Sequence, residues 1–162
     1  MTEGRFVINA SPLIFLTKIG QIDLLRGLAS AVVVPTSVLR EVLSGGNVHP
    51  DLHRVADQEW IRVERDLQVP EEIAGWDLGA GESQVLTFAA AQPILEAVLD
   101  DLQARRCARS LGILTTGTVG VILRAKRQGL IPKARPLLEE LVQKQMYLSR
   151  DLLERVLAEV GE

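Results

Sequence analysis

Polar side chains with oxygen donors follow apolar runs at two points of the chain. Asn9 follows residues 6–8, and Asp100 and Asp101 follow residues 94–99. Buried parallel strands have continuous apolar sequences, and their carboxyl ends meet at the edge of an open α/β sheet where ligands bind. Oxygen donors gathered at that edge suit Mg²⁺ or Mn²⁺, and these cations assist phosphoryl chemistry.

Two further acids have a functional and an ordinary interpretation. Glu41 lies in a short predicted helix, where an acid normally belongs to a solvated face. Glu82 follows Gly79 and Gly81 and lies in the first turn of a predicted helix, where its charge complements the helix dipole. Turned into a cleft, either carboxylate would be a metal ligand. The two glycines lack the third glycine of a dinucleotide-binding loop and follow no clear strand, so that motif is weak.

Strand and helix signals alternate along the chain. Strands are predicted at residues 5–8, 31–34, 60–63, 94–99 and 113–115. Helices are predicted at about 12–18, 22–26, 36–43, 78–91, 102–110, 119–128, 135–145 and 149–159. This alternation predicts an α/β fold with a mostly parallel sheet and helices on both faces. We expect one domain over residues 1–162, with a C-terminal helical extension from about residue 135.

Composition limits the classes of function. The chain has 162 residues and a net charge of −3, so no overall basic field indicates nucleic acid. Cys107, the single cysteine, permits no internal disulfide, which fits a reducing cytoplasm. No apolar run approaches the roughly 18 residues of a membrane span, and the start of the chain does not resemble a signal peptide. We therefore expect a cytoplasmic protein without a membrane association.

Basic residues concentrate in residues 103–135. Arg105, Arg106 and Arg109 share one predicted helix, and Lys126 and Arg127 follow on another. The helical spacing of the first three could grip phosphates or could form an ordinary helix surface. Aromatic residues make up only 4% of the chain, so few side chains could stack on bases. We therefore expect any RNA to be recognised mostly through its sugar-phosphate backbone and its shape.

Several segments, taken in order, resemble the PIN-domain family. They are residues 8–14, 34–41, 79–83, 99–105, 111–113, 116–120 and 125–132. The specific resemblance is to a bacterial and archaeal subfamily distantly related to the VapC-type toxins, and it runs from about residue 6 to the end of the chain. It implies a three-layer α/β/α sandwich with a mostly parallel central sheet.

The resemblance also implies a site. Many PIN domains are Mg²⁺- or Mn²⁺-dependent ribonucleases with three or four acids in one cluster. By position, those acids fall on Asn9, Glu41, Glu82 and either Asp101 or Asp100, with Asp101 preferred by its spacing from Leu99. Ser11 occupies the place of a small hydroxyl residue that supports the first acid. Thr116 is assigned a similar supporting role.

Asn9 departs from the family pattern, because it supplies a neutral carbonyl where an aspartate is usual. Losing one negative ligand should weaken Mg²⁺ binding, although the remaining acids can still hold one cation. The leading hypothesis is a metal-dependent endoribonuclease that hydrolyses RNA phosphodiesters as a toxin-like component. Its relatives dimerise and are held inactive by a small antitoxin.

Two alternatives remain open. The first is a catalytically weakened PIN fold that acts as an RNA-binding or protein-interaction module. The second is a phosphatase or nucleotide-binding α/β protein, which would need a nucleophile or a phosphate-binding loop after the first strand. Asn9 supplies neither.

Overall fold

The computed structural model describes residues 4–46 and 48–162. The predicted domain over residues 1–162 includes residues 1–3 and 47, which lie outside that part. Five strands are described: β1 (Arg5–Ile8), β2 (Ala31–Pro35), β3 (Ile61–Glu64), β4 (Leu95–Val98) and β5 (Thr115–Thr116). The helices are α1 (Ala10–Lys18), α2 (Leu24–Leu28), α3 (Thr36–Leu43), α4 (Glu71–Ala74), α5 (Ala80–Ala91), α6 (Leu102–Ser110), α7 (Thr118–Arg127), α8 (Arg135–Gln143) and α9 (Arg150–Glu159). A 3₁₀ helix covers Pro50–Asp57.

The strands form one parallel sheet in the order β3-β2-β1-β4-β5. The central strand β1 pairs on both sides, with Phe6 opposite Val32 in β2 and opposite Glu96 in β4. Val7 and Ile8 are fully buried, as expected for a strand covered on both faces. The chain leaves β1 toward β2 and later returns to its other side at β4, so the strand order reverses between β1 and β4.

Helices cover both faces of the sheet. Right-handed crossovers place α1, α2 and α3 on one face and α4, α5 and α6 on the other, and α7, which follows the last described strand, lies on the face of α1 and α2. The contacts agree, because α1 and α2 both contact α7, while α5 contacts α4 and α6. Helix α3 also contacts α5 beyond the carboxyl end of the sheet. The predicted three-layer α/β/α sandwich is therefore confirmed, with a sheet that is parallel throughout the described strands.

The predicted elements differ from the observed ones at some boundaries. Gly27, predicted to stop a helix, lies inside α2, where a Cβ atom would lie 2.9 Å from Leu130 Cδ1. Its lack of a side chain allows a close approach rather than ending the helix. Strand β5 begins at Thr115, two residues later than predicted, and the short helix α4 has no counterpart in the prediction.

The predicted C-terminal extension packs on the rest of the molecule. Leu138 and Leu141 of α8 and Leu157 of α9 are fully buried in the same apolar core as the sheet. The Glu162 carboxylate accepts hydrogen bonds from the backbone N–H groups of Ala134 and Arg135 at the start of α8. These bonds satisfy N–H groups that a helix start leaves without partners. Within the described residues, no helix is long and apolar enough to cross a membrane.

Candidate active site

The candidate site lies at the carboxyl edge of the sheet, where the strand order reverses. Asn9 follows β1, α3 follows β2 directly, and Asp100 lies two residues after β4. Open α/β sheets bind ligands at this kind of position, because the loops diverge there and leave a crevice. The first turn of helix α5 packs against α3 and forms the remaining wall of the site.

Asn9 and Glu41 converge on Gly81 in the first turn of α5. A Cβ atom on Gly81 would lie 2.8 Å from Asn9 Oδ1 and 2.9 Å from Glu41 Oε2. Asn9 is only 4% exposed, and its Oδ1 atom is buried without a hydrogen-bond partner in the part of the chain that the structure describes. A buried polar atom without a partner is costly, so this oxygen marks a place where a ligand atom belongs.

Glu82 adds a second negative charge beside Glu41. Burial of the carboxylate raises the pKa of Glu41 above the ordinary value of 4.5, and the charge of Glu82 raises this pKa further. The Glu82 carboxylate folds back over Gly79, which lacks a side chain and so leaves space for it. Glu41 and Glu82 therefore lie close enough for their charges to interact.

Asp100 faces the edge of the sheet, whereas Asp101 does not. Asp100 Oδ2 accepts hydrogen bonds from Ser11 Oγ at 2.8 Å and Thr118 Oγ1 at 2.7 Å, and its Oδ1 accepts from the Thr118 N–H at 2.7 Å. Asp101 instead caps α6, where its Oδ2 accepts from the Ala104 N–H at 2.9 Å. The geometry thus runs against the expectation that Asp101 is the site acid. The aspartate position immediately before a helix is a cap signal that could have identified this role.

The supporting residues also differ from the prediction. Ser11 contacts Asp100 rather than the side chain of Asn9. Thr116 is buried with its hydroxyl against Gly120 in α7, and Thr118 makes the contacts to Asp100. Thr118 is not among the residues predicted from the sequence. Only the fold shows that the turn after β5 lies beside the end of β4.

A loop after β3 fixes the two helices that carry Glu41 and Glu82. Asp66 accepts hydrogen bonds from the N–H and hydroxyl of Ser37 at the start of α3. Gln84 of α5 donates to the Leu67 carbonyl at 2.7 Å and accepts from the Leu67 N–H at 2.8 Å. This loop therefore holds α3 and α5 at a defined spacing on the site.

The donor set suits a hard cation in part. Asn9 Oδ1 and Glu41 Oε2 are both oxygens, which Mg²⁺ and Mn²⁺ prefer, and Mg²⁺ completes its shell with water. Among the described residues, however, no group of three or more His, Cys, Asp or Glu side chains lies close enough to share a metal. Asp100 is held by Ser11 and Thr118 instead. The residues therefore fit a cation held by few protein ligands rather than by a complete acidic cluster.

The predicted basic residues fall into two separate groups. Arg105, Arg106 and Arg109 line one groove along α6, and no acid in the described ranges lies within ion-pair distance of them. Lys126 donates to the Pro132 carbonyl and Arg127 pairs with Glu159. These two side chains lie near the far end of α7, about 13 Å from its start at the site. The two groups of basic residues therefore lie on different helices and have different neighbours.

The crossover order, the reversal between β1 and β4, and the oxygen donors at that edge define an open α/β protein with a candidate ligand site at the edge of its sheet. A family model described as PIN domain, DUF3368, matches residues 5–162. The chain belongs to this PIN-domain family. No curated protein matches the chain. The family supports a nuclease fold, and its members generally depend on divalent metals.

Proposed function

We propose that the chain is a divalent-metal-dependent endoribonuclease whose site is formed by Asn9, Glu41, Glu82 and Asp100. The observation that carries this proposal is the convergence of Asn9 Oδ1 and Glu41 Oε2 on the same point beside Gly81. A buried amide oxygen without a partner and a carboxylate with a raised pKa both favour a cation between them. The cations proposed for this site are Mg²⁺ and Mn²⁺.

Each side chain has a separate task in this proposal. Asn9 and Glu41 hold the cation, while Glu82 adds negative charge that strengthens its attraction. Asp100 is fixed by three hydrogen bonds from Ser11 and Thr118, which leave its Oδ1 atom one further lone pair for a ligand. A bound cation would polarise the phosphodiester and lower the pKa of a water molecule. Arg105, Arg106 and Arg109 bind backbone phosphates along the adjacent groove.

The toxin-type role extends this proposal beyond the site. It includes a small antitoxin that blocks the crevice, a homodimer and a cytoplasmic location. These three features follow from the family resemblance and not from contacts in the structure. Size measurement of the purified chain tests the dimer, and co-purification with the product of a neighbouring reading frame tests the antitoxin.

A second candidate is a PIN fold that binds RNA without cleaving it. Two observations favour it: the neutral Asn9 in the first ligand position, and the absence of a group of three acids close enough to share a metal within residues 4–46 and 48–162. This candidate predicts saturable RNA binding with no cleavage in any divalent cation.

Cleavage of a structured RNA in Mn²⁺, Mg²⁺ or chelator tests the proposal. We expect cleavage only with a divalent cation, and we expect Asp100→Asn to abolish it because the amide carries no negative charge. Asp101→Asn is the matched control, since asparagine caps a helix about as well as aspartate and should leave cleavage intact. Cleavage in chelator, or equal cleavage by Asp100→Asn, would contradict the proposal.

A further inference from the structure

Two adjoining clefts open at the amino edge of the sheet, opposite the candidate active site. The first has a volume of about 310 Å³ and is lined by residues of α1, α2, the 3₁₀ helix and the start of β3. The second has a volume of about 520 Å³ and reaches Ser30 and Trp60, which directly precede β2 and β3. Arg26 and Gln58 line both clefts, so the two form one continuous depression. Each volume lies within the range of small-ligand sites.

Two buried polar atoms without partners lie at this depression. Within residues 4–46 and 48–162, three buried side-chain polar atoms have no hydrogen-bond partner: Asn9 Oδ1, Thr17 Oγ1 and Trp60 Nε1. Asn9 belongs to the candidate active site. Thr17 is only 4% exposed and lines the first cleft, and Trp60 lines the second. Because buried polar groups are normally paired, both atoms favour a polar ligand group in the clefts.

Charged side chains of both signs surround the depression. Arg26 and Arg54 line the first cleft, and neither lies within ion-pair distance of an acid in the described part of the chain. The acids that line the two clefts are Asp23, Asp51, Asp57 and Glu59. Asp51 has His49 at 3.8 Å, which is charged only when protonated. The acids therefore outnumber the arginines, and both kinds of charge are available to a ligand.

This charge pattern limits the class of ligand. A guanidinium pairs best with a carboxylate or phosphate, through two parallel hydrogen bonds. A polyanion such as a nucleotide would face the excess of acids, whereas a simple polyamine would leave both arginines without a partner. Ile22, Val55 and Ile61 lie between the charged groups in the first cleft and can pack on an aliphatic chain. A fitting ligand therefore joins one anionic group to cationic groups through a short aliphatic chain.

We propose that this depression binds an α-amino acid with a cationic side chain. Arg26 and Arg54 hold its carboxylate, and its two cationic groups face the acids at the rim. The Trp60 N–H donates to the ligand, and the Thr17 hydroxyl gains the hydrogen-bond partner that it lacks in the ligand-free chain. This site does not use the residues of the proposed nuclease site, and the two proposals stand or fall separately.

Calorimetric titration of the purified chain with L-lysine and L-arginine tests the proposal. We expect saturable binding of at least one of them. Cadaverine is lysine without its carboxylate, and L-norleucine is lysine without its terminal ammonium group. Each should bind at least about tenfold more weakly than the better of the two amino acids, because each lacks one charge-assisted hydrogen-bonding group.

Two arginine variants test the carboxylate contact. Arg26→Gln should weaken amino-acid binding by about tenfold or more, because it removes a charged donor that lines both clefts. Arg155→Gln is the matched control, since Arg155 is an exposed arginine of α9 that lies outside both clefts. It should bind like the wild type.

Thr17→Val tests the unpaired hydroxyl with a second readout. Valine keeps the shape of the side chain, so the variant should weaken binding by about 2- to 10-fold and raise the unfolding temperature of the ligand-free chain. A purely structural hydroxyl would give the opposite change in unfolding temperature. Trp60→Phe keeps an aromatic ring without the N–H and should weaken binding to a similar extent.

Three results would overturn the proposal. They are no saturable binding of either amino acid, equal binding of cadaverine or L-norleucine, and unchanged binding by Arg26→Gln. Metal-dependent RNA cleavage should be the same in Arg26→Gln and the wild type. Loss of amino-acid binding with intact cleavage would therefore support a separate site, and failure of cleavage would refute only the nuclease.

Discussion

At the scale of single residues, the candidate site depends on a glycine. Gly81 lies where Asn9 Oδ1 and Glu41 Oε2 approach each other, and any Cβ atom there would occupy the space between them. Alanine is otherwise favoured over glycine inside a helix. The glycine therefore costs helix stability and leaves room for a ligand.

Gly81→Ala should weaken Mn²⁺ binding by about tenfold or more, because the added methyl group displaces both oxygens. The fold should be retained, since alanine suits the first turn of α5. Calorimetric titration measures the change in affinity. Gly46→Ala, whose added methyl group would meet no atom within 4 Å, is the control and should bind normally. Unchanged affinity in Gly81→Ala would mean that the cation does not bind at this point.

Asn9→Asp should tighten Mg²⁺ binding by about tenfold, because it adds a negative ligand at a buried oxygen. Without metal, the new charge lies near Glu41 and should lower the free energy of unfolding. Thermal unfolding with and without Mg²⁺ checks both effects. If the Asn9→Asp variant matches the wild type in both affinity and metal-free stability, position 9 does not contact the cation.

At the scale of elements, the loop after β3 sets the geometry of the site. Asp66 caps the start of α3, and Gln84 ties Leu67 to α5. Burial raises the pKa of Asp66, but the hydrogen bonds from Ser37 outweigh it and hold this pKa below the ordinary value of 3.8. The ionised carboxylate therefore stabilises the folded chain.

Asp66→Ala should lower the free energy of unfolding by about 1 kcal/mol at neutral pH, as for other helix caps. Because the folded-state pKa is depressed, the stabilisation is present above the unfolded value of 3.8 and is lost as the pH falls through the folded value. Urea unfolding from pH 7 downward measures the difference between the two chains. A difference that stays constant as the pH falls would exclude the Asp66 carboxylate as the cause.

Gln145→Gly should raise the free energy of unfolding by about 1 kcal/mol, because glycine adopts a positive φ without strain. Glutamine at this helix end therefore lowers the stability of the folded chain relative to glycine. Chemical denaturation measures the gain. A loss of stability would show that the Gln145 side chain itself holds the connection between α8 and α9.

At the scale of the whole molecule, the apolar runs were sufficient to predict the parallel sheet. Val7, Val33 and Val98 are buried, and their strands are covered by helices on both faces of the sheet. Such strands have a continuous apolar sequence, which identifies them. The approach of Asn9, Glu41 and Glu82 also follows, because parallel strands and the helices after them meet at one edge.

The choice between Asp100 and Asp101 could not be made by spacing. The two residues are identical and adjacent, and their roles depend on the direction of the backbone after β4 and on the start of α6. Thr118 reaches Asp100 only through long-range packing, which no local sequence pattern contains.

The most direct test of the metal site is a calorimetric titration of the purified chain with Mn²⁺, repeated with Glu41→Gln. Glutamine keeps the size of the side chain and removes its charge, so the comparison isolates the ligand. We predict saturable binding by the wild type that is lost or weakened at least about tenfold in the variant. No saturable binding by the wild type, or equal binding by both chains, would contradict a metal centre at Asn9 and Glu41.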